Sequence, residues 1–141
     1  MKKLSFVLVA LAAFVLFAGC ANGNDSNNNN DDYSTAQERA VYVGTQSSGG
    51  TQVATITWTF EANGTWSGTS KSSALPASEP ATQYIKGNYL GNAAKDGKIK
   101  ITIKKMFDGT SLNDYNGSNA TFETTISGGK FSYAGLELTR Q

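Results

Sequence analysis

The sequence predicts an all-β fold, a small antiparallel meander, for residues 39–141, and three kinds of pattern support it. Short runs rich in threonine, isoleucine and aromatic residues recur, separated by Gly, Asn, Asp and Ser. Apolar and polar residues alternate in several runs, whereas helical periodicity is missing. Hairpin-forming pairs such as Asn63-Gly64 stand between the runs. These patterns favour strands curled into a small barrel or, alternatively, folded as a β-sandwich.

Eight strands are predicted in this segment. They cover Val41–Thr45, Thr51–Phe60, Thr65–Ser70, Gln83–Leu90, Lys98–Met106, Ala120–Ser127, Lys130–Ala134 and Leu136–Arg140. The clearest alternation lies in the fifth strand, where isoleucine alternates with lysine and threonine, so that one face is buried and the other solvated. The inward residues are Ile99, Ile101 and Ile103, and the outward residues are Lys98, Lys100 and Lys104. We interpret these lysines as protection of a sheet edge rather than as contacts to an anionic polymer.

The same alternation assigns many large side chains to the interior. We expect it to contain Ile56, Trp58, Phe60, Trp66, Ile85, Tyr89, Ile99, Ile101, Ile103, Phe122, Ile126, Phe131, Tyr133 and Leu138. An eight-stranded barrel is just wide enough for packed side chains or one small ligand. We therefore predict a filled interior without a cavity of the ~300 Å³ or more that ligand pockets occupy.

Glycines predict the turns. A two-residue turn at Asn63-Gly64 would put Trp66 on the face opposite Phe60, whereas a longer loop with Gly64 in a left-handed bulge pairs Phe60 with Trp66. We predict the bulge, because it buries both tryptophans on one side. Three further features are a tight turn at Gly128-Gly129, another turn at Asp96-Gly97 and a second bulge at Gly135.

The first 19 residues have the pattern of a secretory signal peptide. Two lysines precede an uncharged apolar run over residues 4–17, which suits a signal-peptide core and is shorter than the about twenty residues that span a bilayer. The run ends in Phe17-Ala18-Gly19-Cys20. This motif resembles the lipobox of bacterial lipoproteins, in which small residues precede a lipid-bearing cysteine, although leucine is commoner where Phe17 stands.

The lipobox resemblance implies a lipid anchor. Residues 1–19 would be removed, and the thiol of Cys20 would carry diacylglycerol, with further acyl chains such as palmitate making the attachment permanent. Residues 20–38 are rich in asparagine and aspartate and would form a disordered tether spanning roughly 24 Å. The resemblance also implies a place in the cell envelope, at the outer rather than the inner membrane, because Ala21 is not the aspartate that retains some lipoproteins at the inner membrane.

A second resemblance concerns the folded domain. The segments FEANGTW, IKGNY, DGKIKITI and ISGGKFSYAGLELTR are similar to the hydrophobic-Gly-hydrophobic hairpin units of small lipocalin-like lipoprotein domains. The similarity covers most of residues 41–141. It implies a lipocalin-like barrel and assigns no catalytic residue.

The composition limits the classes of partner, cofactor and reaction that we expect for this chain. The whole chain has a net charge of +1, and without Lys2 and Lys3 it has ten basic and eleven acidic side chains, so we expect no nucleic-acid partner. It has no histidine and a single cysteine, so we expect no metal site and no cofactor. No catalytic constellation can be recognised, and we expect no enzyme activity.

One segment is rich in side-chain oxygens that could bind calcium: it contains Asp108, Asn113, Asp114 and Asn116. These residues lack the spacing of an EF-hand, and we interpret them as turn formers.

The long connection at residues 71–82 is the best candidate for a contact surface. It contains Leu75, Pro76 and Pro80, and long loops on rigid sheets are frequent contact sites. We therefore expect a monomeric, non-enzymatic envelope module that meets an envelope or host protein, or a glycan, through its loops. The alternative is a lipocalin-like carrier of a small apolar ligand.

Overall fold

The computed structural model describes residues 33–34, 36–118 and 120–141, in which the chain forms nine strands and no helix. The strands are β1 (Ala40–Ser48), β2 (Thr51–Phe60), β3 (Thr65–Ser72), β4 (Thr82–Leu90), β5 (Gly97–Phe107), β6 (Leu112–Asp114), β7 (Thr121–Ile126), β8 (Lys130–Tyr133) and β9 (Leu136–Arg140). All their pairings are antiparallel. The predicted all-β antiparallel class is confirmed.

The strands form one curled sheet, a half-barrel, in which most neighbours in space are also neighbours in sequence. The order is β6-β5-β4-β3-β2-β1-β9-β8, and β7 pairs with β5 beside β6. The pairing of β1 with β9 joins Tyr42 to Arg140 across almost the whole domain. The turn from β7 to β8 contains an isolated antiparallel bridge between Ser127, just after β7, and Lys130, the first residue of β8. A single curled sheet corresponds to the barrel type rather than to the sandwich.

The short strand β6 is the element that the sequence did not predict. It has three residues, none of them buried, and no alternation can be recognised over so short a run. β6 pairs with the end of β5, whereas β7 pairs with the beginning of β5. The other eight strands agree with their predicted bounds to within three residues at each end.

The three isoleucines of β5 lie in the core, as predicted. Ile99 and Ile101 are completely buried and Ile103 is 2% exposed. On the opposite face, Lys98 and Lys104 are exposed and Lys100 is half-buried. β5 is paired on both sides along most of its length, so the edge-protection interpretation of its lysines is wrong for this strand.

Aromatic rings fill the middle of the curled sheet. The largest fully buried side chains are Trp58, Trp66, Tyr42, Phe60, Ile56, Ile85, Ile99, Ile101, Ile126 and Leu138. Trp58 is the centre of this cluster, with its ring 4.5 Å from that of Trp66 and 5.6 Å from that of Phe131. Two residues of the predicted interior, Phe122 and Tyr133, are only half-buried and stack on each other 4.8 Å apart, between β7 and β8.

A bulge in β4 gives the indole of Trp58 a polar neighbour. Gly68 pairs with Ile85 and Thr69 pairs with Gln83, which leaves Tyr84 as the extra residue. Tyr84 and Ile85 are therefore both buried although they are consecutive. The Trp58 Nε1–H donates a hydrogen bond of 2.6 Å to the Tyr84 hydroxyl. Burial raises the pKa of Tyr84, so its phenol remains neutral in the core.

The hairpin between β2 and β3 has the predicted bulge. Phe60 pairs with Trp66, and Gly64 has a φ of 81°. The Gly64 N–H donates to the Glu61 carbonyl and the Glu61 N–H donates to the Thr65 carbonyl, which closes the loop with its left-handed residue at Gly64. Both tryptophans consequently lie on the inner face.

Gly135 does not form the predicted bulge. Tyr133 pairs directly with Leu136, and Ala134 and Gly135 between them have φ values of 48° and 79°. These values belong to a two-residue hairpin turn with two left-handed residues. Alanine is unusual in this conformation, so the pair Ala134-Gly135 is not recognised as a hairpin turn from residue type alone.

Asp96 differs from its predicted role as part of a tight turn with Gly97. The chain between β4 and β5 forms a six-residue connection over residues 91–96. The Asp96 carboxylate accepts hydrogen bonds from the backbone N–H groups of Gly128 and Gly129, and it lies 3.5 Å from the Arg140 guanidinium. The predicted Gly128-Gly129 turn is confirmed, and Asp96 ties it to the start of β5.

The hydrogen bonds from Gly129 and Gly128 lower the pKa of Asp96 below its ordinary value. A lowered pKa contributes stability above the unfolded-state pKa of about 3.9, and that contribution is lost as the pH falls through the folded-state pKa. We expect Asp96→Asn to lower the thermal unfolding midpoint at neutral pH, and the difference from the parent protein to shrink as the pH falls below about 4. Calorimetry across this range measures it, and an equal difference at neutral and acid pH would contradict the expectation.

Candidate functional site

The contact loop, predicted over residues 71–82, is the connection over residues 73–81 between β3 and β4, and it has a defined backbone path. The Leu75 N–H donates to the Ser72 carbonyl at 3.2 Å and the Glu79 N–H donates to the Pro76 carbonyl at 3.1 Å, which makes two successive turns. The Lys71 ammonium donates to the Ala77 carbonyl at 2.8 Å. The loop therefore holds itself in shape through its own backbone.

The three residues singled out in this loop differ in exposure. Pro76 and Pro80 are exposed, whereas Leu75 is half-buried. The loop lies at the end of the sheet where β3 finishes and β4 begins. Leu90, which is 51% exposed, lies at the opposite end of β4. Exposed prolines thus lie near the beginning of β4 and an exposed leucine lies at its end.

The Asx-rich segment after β5 forms a turn at Asp108, as predicted, whereas Asn113 and Asp114, which were also interpreted as turn formers, lie in β6. The Asp108 carboxylate accepts from the backbone N–H groups of Thr110 and Ser111, at 2.8 and 3.0 Å, and from the side chain of Asn113. Asp114 instead forms an ion pair of 2.9 Å with Lys105. Within the described ranges, no group of three or more His, Cys, Asp or Glu is arranged to hold a metal ion.

A cleft of about 390 Å³ lies on the outer face of β3, β4 and β5. We call it the lysine cleft. It is lined by Glu61, Thr65, Trp66, Ser67, Lys86, Gly87, Asn88, Lys104 and Lys105. Sequence reasoning missed this site, because its three lysines come from two strands and only Lys104 belonged to a recognised alternation.

A second bulge explains why the lysines meet. Lys86 pairs with Lys105 and Gly87 pairs with Ile103, so Lys104 is the extra residue of β5. The bulge puts Lys104 and Lys105 on the same outer face although they are consecutive. β5 passes so close to β4 that a Cβ on Gly87 would lie 1.8 Å from the Thr102 carbonyl oxygen, and only glycine fits there.

Several sequence-based predictions fall outside the described residues. These are the signal peptide over residues 1–19, the lipidation site Cys20 and most of the tether over residues 20–38. In the part of the chain that the structure describes, no helix is long and apolar enough to cross a membrane.

Comparisons with protein-family models, with curated proteins and with solved structures find no match to this chain.

Proposed function

We propose that this chain is a lipid-anchored lipoprotein of the bacterial cell envelope whose half-barrel is lipocalin-like and binds a protein or glycan through its outer surface, without catalysing a reaction. The aromatic cluster of the interior carries this proposal. Trp58 and Phe60 are completely buried and Trp66 is 2% exposed. Their rings occupy the space in which a carrier of this shape would hold its ligand. Binding is therefore assigned to the loops and the outer face.

The loop over residues 73–81 supports the binding part of the proposal. It exposes Pro76 and Pro80 on a backbone that its own hydrogen bonds already order. A preordered loop loses less conformational entropy when a partner binds it, which favours affinity. The partner is an envelope or host protein or a glycan.

The anchoring part rests on the lipobox-like sequence before Cys20. We expect Cys20→Ala to abolish incorporation of a radiolabelled fatty acid and to leave an uncleaved or mislocalised precursor, because lipid transfer to the thiol precedes cleavage in this type of export. Metabolic labelling followed by membrane fractionation measures both effects. Ser26→Ala in the tether serves as a control and should be labelled like the parent protein. Equal labelling of the Cys20 variant would exclude the lipobox.

For the binding part, we expect the double substitution Pro76→Ser and Pro80→Ser to reduce capture of an envelope component by the purified protein at least tenfold. Capture is measured by cross-linking to envelope extract and quantification of the cross-linked product. Leu90→Ser, at the opposite end of β4, is the control for loss of exposed apolar surface and should retain capture.

The carrier alternative gives a different result. A fatty acid that entered the interior would displace rings around Trp58 and Trp66, so tryptophan fluorescence would change in a saturable, stoichiometric manner. We expect no such change. A saturable change that Trp66→Phe abolishes would replace the proposal by the carrier function.

A further inference from the structure

The lysine cleft brings three lysines together beside one acidic lining residue, Glu61. Lys86 and Lys105 are directly opposite each other on β4 and β5, and like charges in this arrangement destabilise a sheet. Lys105 has a counter-charge in Asp114, at 2.9 Å. Within the described ranges, Lys86 and Lys104 have no salt bridge. An anion in the cleft would relieve this repulsion.

Protection of a sheet edge does not account for these lysines. β4 lies between β3 and β5, so Lys86 is on an interior strand. Lys104 is the bulge residue of β5, next to the segment that pairs with β6. Neither strand offers an unpaired edge at this position that a charge would need to guard. The arrangement is therefore better explained by a ligand than by avoidance of aggregation.

The uncharged part of the lining indicates the class of ligand. Ser67 and Asn88 supply a hydroxyl and an amide that can both donate and accept hydrogen bonds, and the Thr65 hydroxyl, which donates to Asn63 Oδ1 at 2.6 Å, can still accept one. Glu61 supplies an acceptor, and its carboxylate is 3.5 Å from the Arg39 guanidinium. A ligand that suits this lining combines one anionic group with several hydroxyl groups.

We infer that the lysine cleft binds an acidic sugar residue of a glycan, with the sugar carboxylate on Lys86 and Lys104 and the sugar hydroxyls on Glu61, Asn88 and Ser67. The volume of about 390 Å³ lies within the range of small-ligand sites. Lys86 and Lys105 are half-buried and Lys104 is exposed. A recess lined from β3, β4 and β5 suits an inserted sugar better than a flat membrane surface. This site is separate from the loop over residues 73–81 and does not depend on it.

Isothermal titration calorimetry of the full chain in non-ionic detergent tests the inference. The probe is a trimer of galacturonic acid, and a trimer of galactose is the uncharged counterpart. We expect saturable binding of the acidic trimer that weakens as salt is added, and no detectable binding of the neutral one. Lys86→Gln and Lys104→Gln should each weaken binding about tenfold or more, which corresponds to one hydrogen bond to a charged group.

A control variant tests whether the binding depends on the lysines of the cleft, and a second anion tests whether the ligand is a sugar or a phosphate group. Lys98→Gln removes an exposed lysine of the same strand and face outside the cleft, and it should leave the affinity unchanged. Circular dichroism establishes that the variants are folded. No binding of the acidic trimer, or an equal loss with Lys98→Gln, would overturn the inference. Inorganic phosphate or anionic-lipid vesicles that bind more tightly than the trimer, through Lys86 and Lys104, would overturn the sugar assignment in favour of a phosphate group.

Discussion

Trp58→Ala is expected to reduce the free energy of unfolding by about 3 to 5 kcal/mol, the usual cost of truncating a buried tryptophan. The indole is completely buried and packs against the rings of Trp66, Phe131 and Tyr133 at 4.5, 5.6 and 5.0 Å. Its removal leaves a cavity and also removes the hydrogen bond to the Tyr84 hydroxyl. A domain of this size has a total stability of about 5–15 kcal/mol, so the variant should lose a large part of it.

The surroundings of Trp58 limit how far the core can relax after this substitution. Gly68 lies opposite Trp58, and a Cβ on it would be 2.9 Å from the Trp58 Nε1 and 2.5 Å from the Ile85 Cγ2. The glycine therefore makes room for the indole and has no side chain to fill the cavity. Urea denaturation measures the loss, with Thr57→Ala on the outer face of β2 as control, expected to cost about 1 kcal/mol or less. Equal losses for both variants would place Trp58 outside the core.

Ile101→Ala is expected to cost about 2 to 5 kcal/mol, because the side chain is completely buried in the middle of β5. β5 pairs with β4 on one side and with β7 on the other, so its backbone cannot move inward to close the cavity. Ile101 lies opposite Tyr89 and Phe122 in these two pairings. Both neighbours lose contacts when the isoleucine is truncated.

The neighbouring residue supplies the control for Ile101. Lys100→Ala removes an outward side chain that is 4.0 Å from Glu123, and exposed ion pairs contribute about 0 to 1 kcal/mol. Denaturant unfolding measures the free energy of unfolding of both variants. The two losses can be compared directly if this free energy has the same dependence on denaturant concentration in both. A loss below about half a kcal/mol for Ile101→Ala would contradict the placement of this strand in the core.

Alternation and turn chemistry predicted most of the fold from the sequence. The isoleucines of β5 and the apolar side of β2 follow a strict period of two, and burial of one face of a sheet fixes such a register. The bulge at Gly64 was predictable because only one of two registers buries both tryptophans. These features are local, and a local pattern is sufficient to specify them.

The bulges within the ladders could not be predicted in this way. Tyr84 precedes Ile85, and Lys104 precedes Lys105, so a strict alternation assigns the members of each pair to opposite faces. The actual placement depends on how β4 pairs with β3 and β5, which involves residues distant in sequence. The candidate lysine cleft exists because of the second bulge. The three lysines can therefore be recognised as one site only from the pairing of β4 with β5.

The pairing of β1 with β9 has a consequence for the order in which the domain can fold. The hairpins from β1 to β5 need only nearby partners, and contacts between residues close in sequence form rapidly. The second edge of β1 can pair only after β9 is available, and β9 is separated from β1 in the sequence by all the other strands. Because a chain is synthesised from its N-terminal end, the edge of β1 would stay unpaired until β9 has been made, and an unpaired edge is a site for pairing with other chains.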